Sequence, residues 1–161
     1  MNNTANLVGN WKRYNAKNLS WRAKRFDELS TQELFEIYHA RTAVFVVEQN
    51  CPYQEVDNKD LQAVHFFTKN AKNLTAYCRL IPANDGVHIG RVLVVKENRG
   101  SGLARELVQK AMDYCGEHFP AQPIHAQAQS YLQGFYESFG FKAVSEVYLE
   151  DGIAHLDMVL E

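Results

Sequence analysis

An apolar run, Val92-Leu93-Val94-Val95, feeds through Arg99-Gly100-Ser101-Gly102 into a periodic helix, and this junction limits the possible folds more than any other stretch. Leu103, Leu107, Ala111, Cys115 and Phe119 recur at every fourth position, which predicts a helix of about four turns with one buried face. Pro120 and Pro123 stop it. First-turn N–H groups have no intrahelical acceptor, the helix dipole is positive at that end, and glycines allow close approach, so the junction suits an anion. Arg99 and Arg105 add positive charge.

Two nucleotide readings of this loop fail on composition. A Walker loop needs Lys and then Ser or Thr, where this chain has Leu103-Ala104. A dinucleotide fingerprint needs Gly or Ala where Arg105 stands. Glycines that merely turn the chain remain an open reading of the segment taken alone.

The flanking sequence predicts a sheet. His65-Phe66-Phe67-Thr68 and Leu74 to Ile81 read as a hairpin, and Pro82-Ala83-Asn84-Asp85-Gly86 turns the chain into a third strand, Val87 to Val95. Upstream, Ser30-Thr31-Gln32-Glu33 has the spacing of a capping box and starts a helix that runs into Ala43 to Val47 and ends at Cys51-Pro52. Pro52 to Leu61, with Glu55, Asp57 and Asp60, reads as a polar surface loop or short helix. Downstream come a short strand from Ile124 to Ala128, a helix from Ser130 to Phe139 and a hairpin about Asp151-Gly152. The sum is an α/β (α+β) domain over residues 19–161, with helices on a mixed, mainly antiparallel sheet, preceded by an extension over residues 1–18.

With 161 residues, 46% of them hydrophobic, the chain has enough apolar matter for one core. A net charge of −2 gives no overall attraction to nucleic acid or to an anionic membrane. No apolar run reaches membrane-spanning length, and Met1 to Asn18 lacks the apolar centre of a secretory signal. Cys51, Cys78 and Cys115 show no paired spacing, so the expected compartment is a reducing cytoplasm. The six histidines include no i,i+4 pair about a Glu, so no metal is expected.

Arg99-x-x-Gly102-x-Ala104 resembles the pyrophosphate loop of the GCN5-related N-acetyltransferases, and Phe135-Tyr136-Glu137-Ser138-Phe139-Gly140-Phe141 is similar to a segment near the end of the same family. The run Arg41-Thr42-Ala43-Val44-Phe45-Val46-Val47-Glu48-Gln49-Asn50-Cys51-Pro52-Tyr53 resembles its ElaA-like subgroup, as does Gln127-Ala128-Gln129. The resemblance implies the acyl-CoA N-acyltransferase (GNAT) fold and direct transfer of an acetyl group from acetyl-CoA to an amine, of a small molecule or a protein. It implies that Leu93, Val94 and Val95 pair with the pantetheine arm, with a strand N–H near Leu93 or Val94 for the carbonyl oxygen. Gly100, Ser101, Gly102, Leu103, Ala104 and Arg105 would then hold the pyrophosphate beside Arg99, and Gln129 would border the cofactor. Tyr136 becomes the acid that protonates the departing thiolate, against its alternative as a core aromatic. The family's strand glutamate is absent from His88-Ile89-Gly90-Arg91, so the base is sought in Glu48, with a structural ion pair to Arg41 or a Lys as its alternative. A non-catalytic acyl-CoA sensor and an acyl-homoserine-lactone-synthase-like enzyme are the competing functions.

Overall fold

The computed structural model describes residues 20–161; the expected extension over residues 1–18 lies outside them. Strands β1 (Trp21–Arg25), β2 (Val64–Lys69), β3 (Leu74–Ala83) and β4 (Gly86–Val94) form an antiparallel meander. Next come β5 (Ile124–Gln129), β6 (Lys142–Ala143), β7 (Tyr148–Glu150) and β8 (Ile153–Leu160), and the sheet order is β1-β2-β3-β4-β5-β8-β6 with β7 on β8. Only β4 and β5 run parallel among the described strands. The mixed, mainly antiparallel sheet is the one expected from sequence.

Helix α1 (Thr31–Arg41) begins as its capping box requires: the Ser30 hydroxyl accepts from the Glu33 N–H at 3.0 Å and Glu33 accepts from the Ser30 N–H at 2.9 Å. That carboxylate also takes Lys24 and Arg22 from β1, and these partners outweigh burial and hold its pKa down. The helix then widens into a π segment, Thr42–Glu48, with Gln49 N–H bonding to Val44 O and Cys51 N–H to Val46 O. A five-residue bond spacing adds a residue per turn and re-aims the chain as it leaves the helix. Val44 and Phe45 pack inward with Ile37, Phe67, Tyr77 and Leu93, while Val47 stays exposed.

Helix α2 (Leu103–His118) covers the other face, where Leu103, Leu107, Ala111 and Cys115 are buried as the period-four stripe predicts, with Val108 buried beside them and Phe119 only partly so. Fully burying a side chain of the size of Leu or Val contributes roughly 1.5–3 kcal/mol, so this stripe fixes where α2 begins and thus where its N-terminus points. A short helix, α3 (Gln133–Glu137), carries Tyr136 into the same core.

Two expectations are corrected. β1 has no counterpart among the elements expected from sequence; its side chains are mostly half-buried and it forms the sheet edge, with Trp21 stacked on Phe66 at 5.5 Å. The stretch from Pro52 to Leu61 contains the short helix of one sequence reading, Asn58–Leu61, but it is not a solvated surface segment: Glu55 is 3% and Asp60 1% exposed. The cause is a set of arginines that the sequence does not bring near them.

Candidate active site

Parallel pairing of β4 with β5 covers only Val87 to Ile89 against Ile124 to Ala126. Beyond that the strands part, and a cleft of about 620 Å³ opens between them. A bulge sharpens the divergence: Arg91 and Val92 together oppose Cys78 of β3, and Arg91 adopts φ 52°. After the bulge, Val95 donates its N–H to Thr75 O at 2.9 Å. The alternation of an antiparallel ladder then turns Leu93 N–H toward β3 and Val94 N–H toward the open side. The Val94 carbonyl confirms the direction, since it accepts from Arg99 Nε at 2.9 Å across that side.

These bonds refine the expected strand contacts. Val94 keeps a main-chain donor facing the cleft. Leu93 lines the cleft but belongs by its side chain to the core, and Val95 spends its N–H on Thr75.

The glycine loop is built for positive φ. Gly100 sits at φ 85° and Gly102 at φ 84°, both with open space where a Cβ would stand, so backbone conformation rather than crowding calls for glycine. Gly102 caps α2 without a side chain, and the first helical bond is Glu106 N–H to Gly102 O. The N–H groups of Leu103, Ala104 and Arg105 therefore have no helical acceptor. The side chains do other work: Ser101 Oγ donates to Asn98 O, Leu103 is buried, and Arg105 donates to Ser138 Oγ while lying over the Phe139 ring.

Tyr136 is both a core aromatic and a cleft-lining side chain. It is 5% exposed and edge-on to Phe135 and Phe141. Burial pushes its phenol well above the ordinary value, which keeps the proton on the oxygen at neutral pH. Gln129 lines the cleft too and donates to Gln49 Oε1 at 3.4 Å.

Glu48 lines the cleft as a paired carboxylate. Arg99 donates to both its oxygens, at 2.6 and 2.9 Å, and holds the carboxyl below its ordinary pKa. A carboxylate so engaged is a weak proton acceptor. The partner is neither Arg41 nor a lysine. His88 does not line the cleft.

Arg41 sits instead in a buried network. It donates to Glu55 Oε2 at 2.8 Å, to Asp60 at 2.7 and 3.0 Å and to the Tyr77 hydroxyl at 3.3 Å. Arg79 joins Asp57 and Asp60, and Arg91 joins Glu55, so three guanidinium groups face three carboxylates. His65 Nε2 lies 2.9 Å from Asp60 O and must donate there, leaving Nδ1 to accept from the Tyr77 hydroxyl at 2.7 Å. Burial, with help from Arg41 and Arg79, depresses the imidazole pKa. The network fixes the Tyr53-to-Asp57 rim of the cleft, and its acids are already neutralised.

One side chain that sequence reasoning passed over is His155. It lines the cleft from β8, in register with Gln129 of β5, and its Nδ1 lies 2.7 Å from Ile153 O. A carbonyl can only accept, so Nδ1 carries a proton, and in the neutral ring Nε2 is left with the lone pair. Only the fold, through the β5–β8 pairing, brings it to the site.

The Acetyltransferase (GNAT) domain family matches residues 26–161. Protein ElaA of Escherichia coli is 42% identical over 148 residues, covering 89% of this chain and 97% of ElaA. A UPF0039 protein of Schizosaccharomyces pombe is 44% identical over 147 residues, covering 89% and 98%. Among solved structures, Escherichia coli ElaA superposes with a TM-score of 0.84 at 41% identity, covering 89% of this chain and 99% of that one. An acyl-CoA N-acyltransferase from Pseudomonas aeruginosa gives 0.85 at 39% identity, with the same coverage. A CoA-dependent acyl-homoserine lactone synthase, 16% identical with a TM-score of 0.71, shares the fold alone. The cleft, the glycine loop at α2 and these matches agree: the chain belongs to the GCN5-related N-acetyltransferase family.

Proposed function

We propose that the protein is an N-acetyltransferase that passes the acetyl group of acetyl-CoA directly to an amine. The observation that carries this is that two main-chain donor sets border one cleft: the outward Val94 N–H, and the uncapped start of α2, which reaches the cleft at Ala104. The residues fit the cosubstrate. Gly100 to Arg105 offer main-chain donors to a pyrophosphate, Arg99 stands beside them, and Val94 offers a strand edge to an amide-bearing arm. Acetyl-CoA supplies an activated thioester, so no nucleophilic side chain is required.

Each proton then has a residue to go to. As an amine adds to the thioester carbonyl, negative charge grows on its oxygen, and the Val94 N–H is placed to stabilise it without reorganisation. The Tyr136 hydroxyl, kept protonated by burial, donates to the departing sulfur. His155 Nε2 accepts the proton that the amine gives up, replacing Glu48 in that role. The acids between Glu48 and Asp60 do not select a cationic acceptor, because arginines already hold them.

Thermal unfolding with CoA and with acetyl-CoA, followed by a free-thiol assay over a panel of amines, tests the proposal. Ligand at 100 times its dissociation constant is expected to stabilise the fold by about 2.7 kcal/mol. Stabilisation together with amine-dependent thiol release supports the enzyme. Stabilisation without thiol release from any amine favours the sensor, and no stabilisation overturns the cosubstrate assignment.

A further inference from the structure

At the end of β4 and β5 opposite the cleft, the parallel register does something that sequence spacing hides. It sets His88 directly beside His125, and their rings stack with centroids 4.6 Å apart and planes 19° from parallel. Both Nε2 atoms turn to one residue of the β3–β4 turn. His88 Nε2 is 2.8 Å from Asp85 Oδ1, while His125 Nε2 is 2.8 Å from Asp85 O and 3.8 Å from Oδ2.

We propose that Asp85, His88 and His125 bind one divalent metal ion of the kind imidazole prefers, with Zn²⁺ as the reference ion. The three ligand atoms lie within 4.8 Å of one another. A tetrahedral Zn²⁺ with bonds of about 2.0–2.1 Å sets its ligand atoms roughly 3.3 Å apart, so small ring tilts close the cage. Two neutral imidazoles and a carboxylate form a borderline set that suits Zn²⁺, Ni²⁺ or Cu²⁺ better than Mg²⁺ or Ca²⁺. Each Nε2 now donates to Asp85, and binding moves that proton to Nδ1 without breaking any buried bond.

Access and rigidity both favour the site. The His88 and His125 side chains are 41% and 27% exposed, which leaves a path for the ion and room for water as a fourth ligand. The turn is held in place, since Val87 N–H bonds to Pro123 O and a Cβ on Gly86 would stand 2.3 Å from that same oxygen. No thiol competes: Cys51, Cys78 and Cys115 are buried, and residues 1–19 contain no His, Cys, Asp or Glu. A bound ion would clip the β3–β4 turn to the start of β5, at the root of the strands that part to form the cleft. The site is independent of acyl transfer.

The experiment is a calorimetric titration of the untagged full chain with Zn²⁺ in phosphate-free buffer, beside the same titration of His88→Gln, His125→Gln and the double variant. Glutamine keeps a side-chain N–H donor, and unfolding curves in EDTA check that the variants fold. One ion per chain is expected, each single change weakening binding at least about tenfold and the double change abolishing it. Zn²⁺ is also expected to shift the imidazole NMR signals of His88 and His125 and of no other histidine. Failure to bind below about 1 mM, equal binding by the double variant, or shifts at other histidines overturns the site.

Discussion

Arginine meets carboxylate in two places in this molecule, and the two meetings serve different ends. Behind the cleft rim, Arg41 is 0% exposed and shares Glu55 and Asp60 with Arg79 and Arg91. At the cleft mouth, Arg99 and Glu48 make a tighter pair by distance, yet their side chains are 38% and 43% exposed. Distance does not decide the energetics; solvent does. Water screens the outer pair and can replace either partner, whereas burial keeps water from replacing a lost one in the inner network. The inner set is fixed framework, while the outer pair can be exchanged for a ligand.

The largest expected effect tests the inner set. Arg41→Met leaves Asp60 to Arg79 and Glu55 to Arg91, each short of a buried charge partner, and is expected to cost about 3–5 kcal/mol in urea unfolding, whereas a cost near that of a surface substitution breaks the contrast. Next comes the loop between the two regions. Gly102→Ala forces a Cβ onto φ 84° and is expected to cost about 1–2 kcal/mol, with weaker CoA binding as the α2 amides shift. Unchanged CoA affinity in a folded Gly102→Ala protein would sink the loop assignment.

Protons probe the inner network more gently. His65 has a folded pKa below its ordinary 6.5, so the unfolded chain binds the proton first as the solution is acidified. This residue's share of stability is fully present above about pH 6.5 and is lost as pH falls toward the folded value. Chemical unfolding at steps between pH 7.5 and 5 is expected to show that decline, and His65→Gln to flatten it. An identical slope in the two proteins would place the acid sensitivity elsewhere.

How much of the fold is legible in the sequence depends on the range of each interaction. The Ser30–Glu33 box and the α2 stripe are local, set by residues three or four apart, and both appear where expected. The meander was legible because Asp85-Gly86 and Asn70-to-Asn73 announce turns between apolar runs. β1 carries three cations in five residues, and Trp21 and Ala23 gain their burial from residues far along the chain, so nothing local marks it. The Arg41 network joins partners 14 to 36 positions apart, from Arg41–Glu55 through the Arg79 bridges to Arg91–Glu55, and ion pairing leaves no periodic trace. His155 and the His88–His125 pair exist as neighbours of other groups only through strand register. In the glycine loop, sequence located the main-chain donors and the added charge of Arg105, whose side chain the fold turns to Ser138; on the strand before it, the Val95 N–H expected to face the cofactor is taken by Thr75.

The smallest effect on stability is also the most discriminating for the site. Glu48→Gln removes one charge from an exposed pair, and such pairs contribute about 0–1 kcal/mol, so the unfolding midpoint is expected to stay almost where it was. The cleft should respond more than the fold. A carboxylate beside the glycine loop is expected to repel the proposed anionic cosubstrate and to compete for the Arg99 guanidinium, which keeps only its Nε bond to Val94 O when Glu48 is neutral. CoA affinity is therefore expected to rise by about twofold to fivefold, the equivalent of roughly 0.4–1 kcal/mol, in a titration at low salt, and the gain should shrink as salt screens it. A base would behave in the opposite way: turnover would fall by about a hundredfold or more with CoA affinity unchanged, and that result would return Glu48 to the chemistry and displace His155.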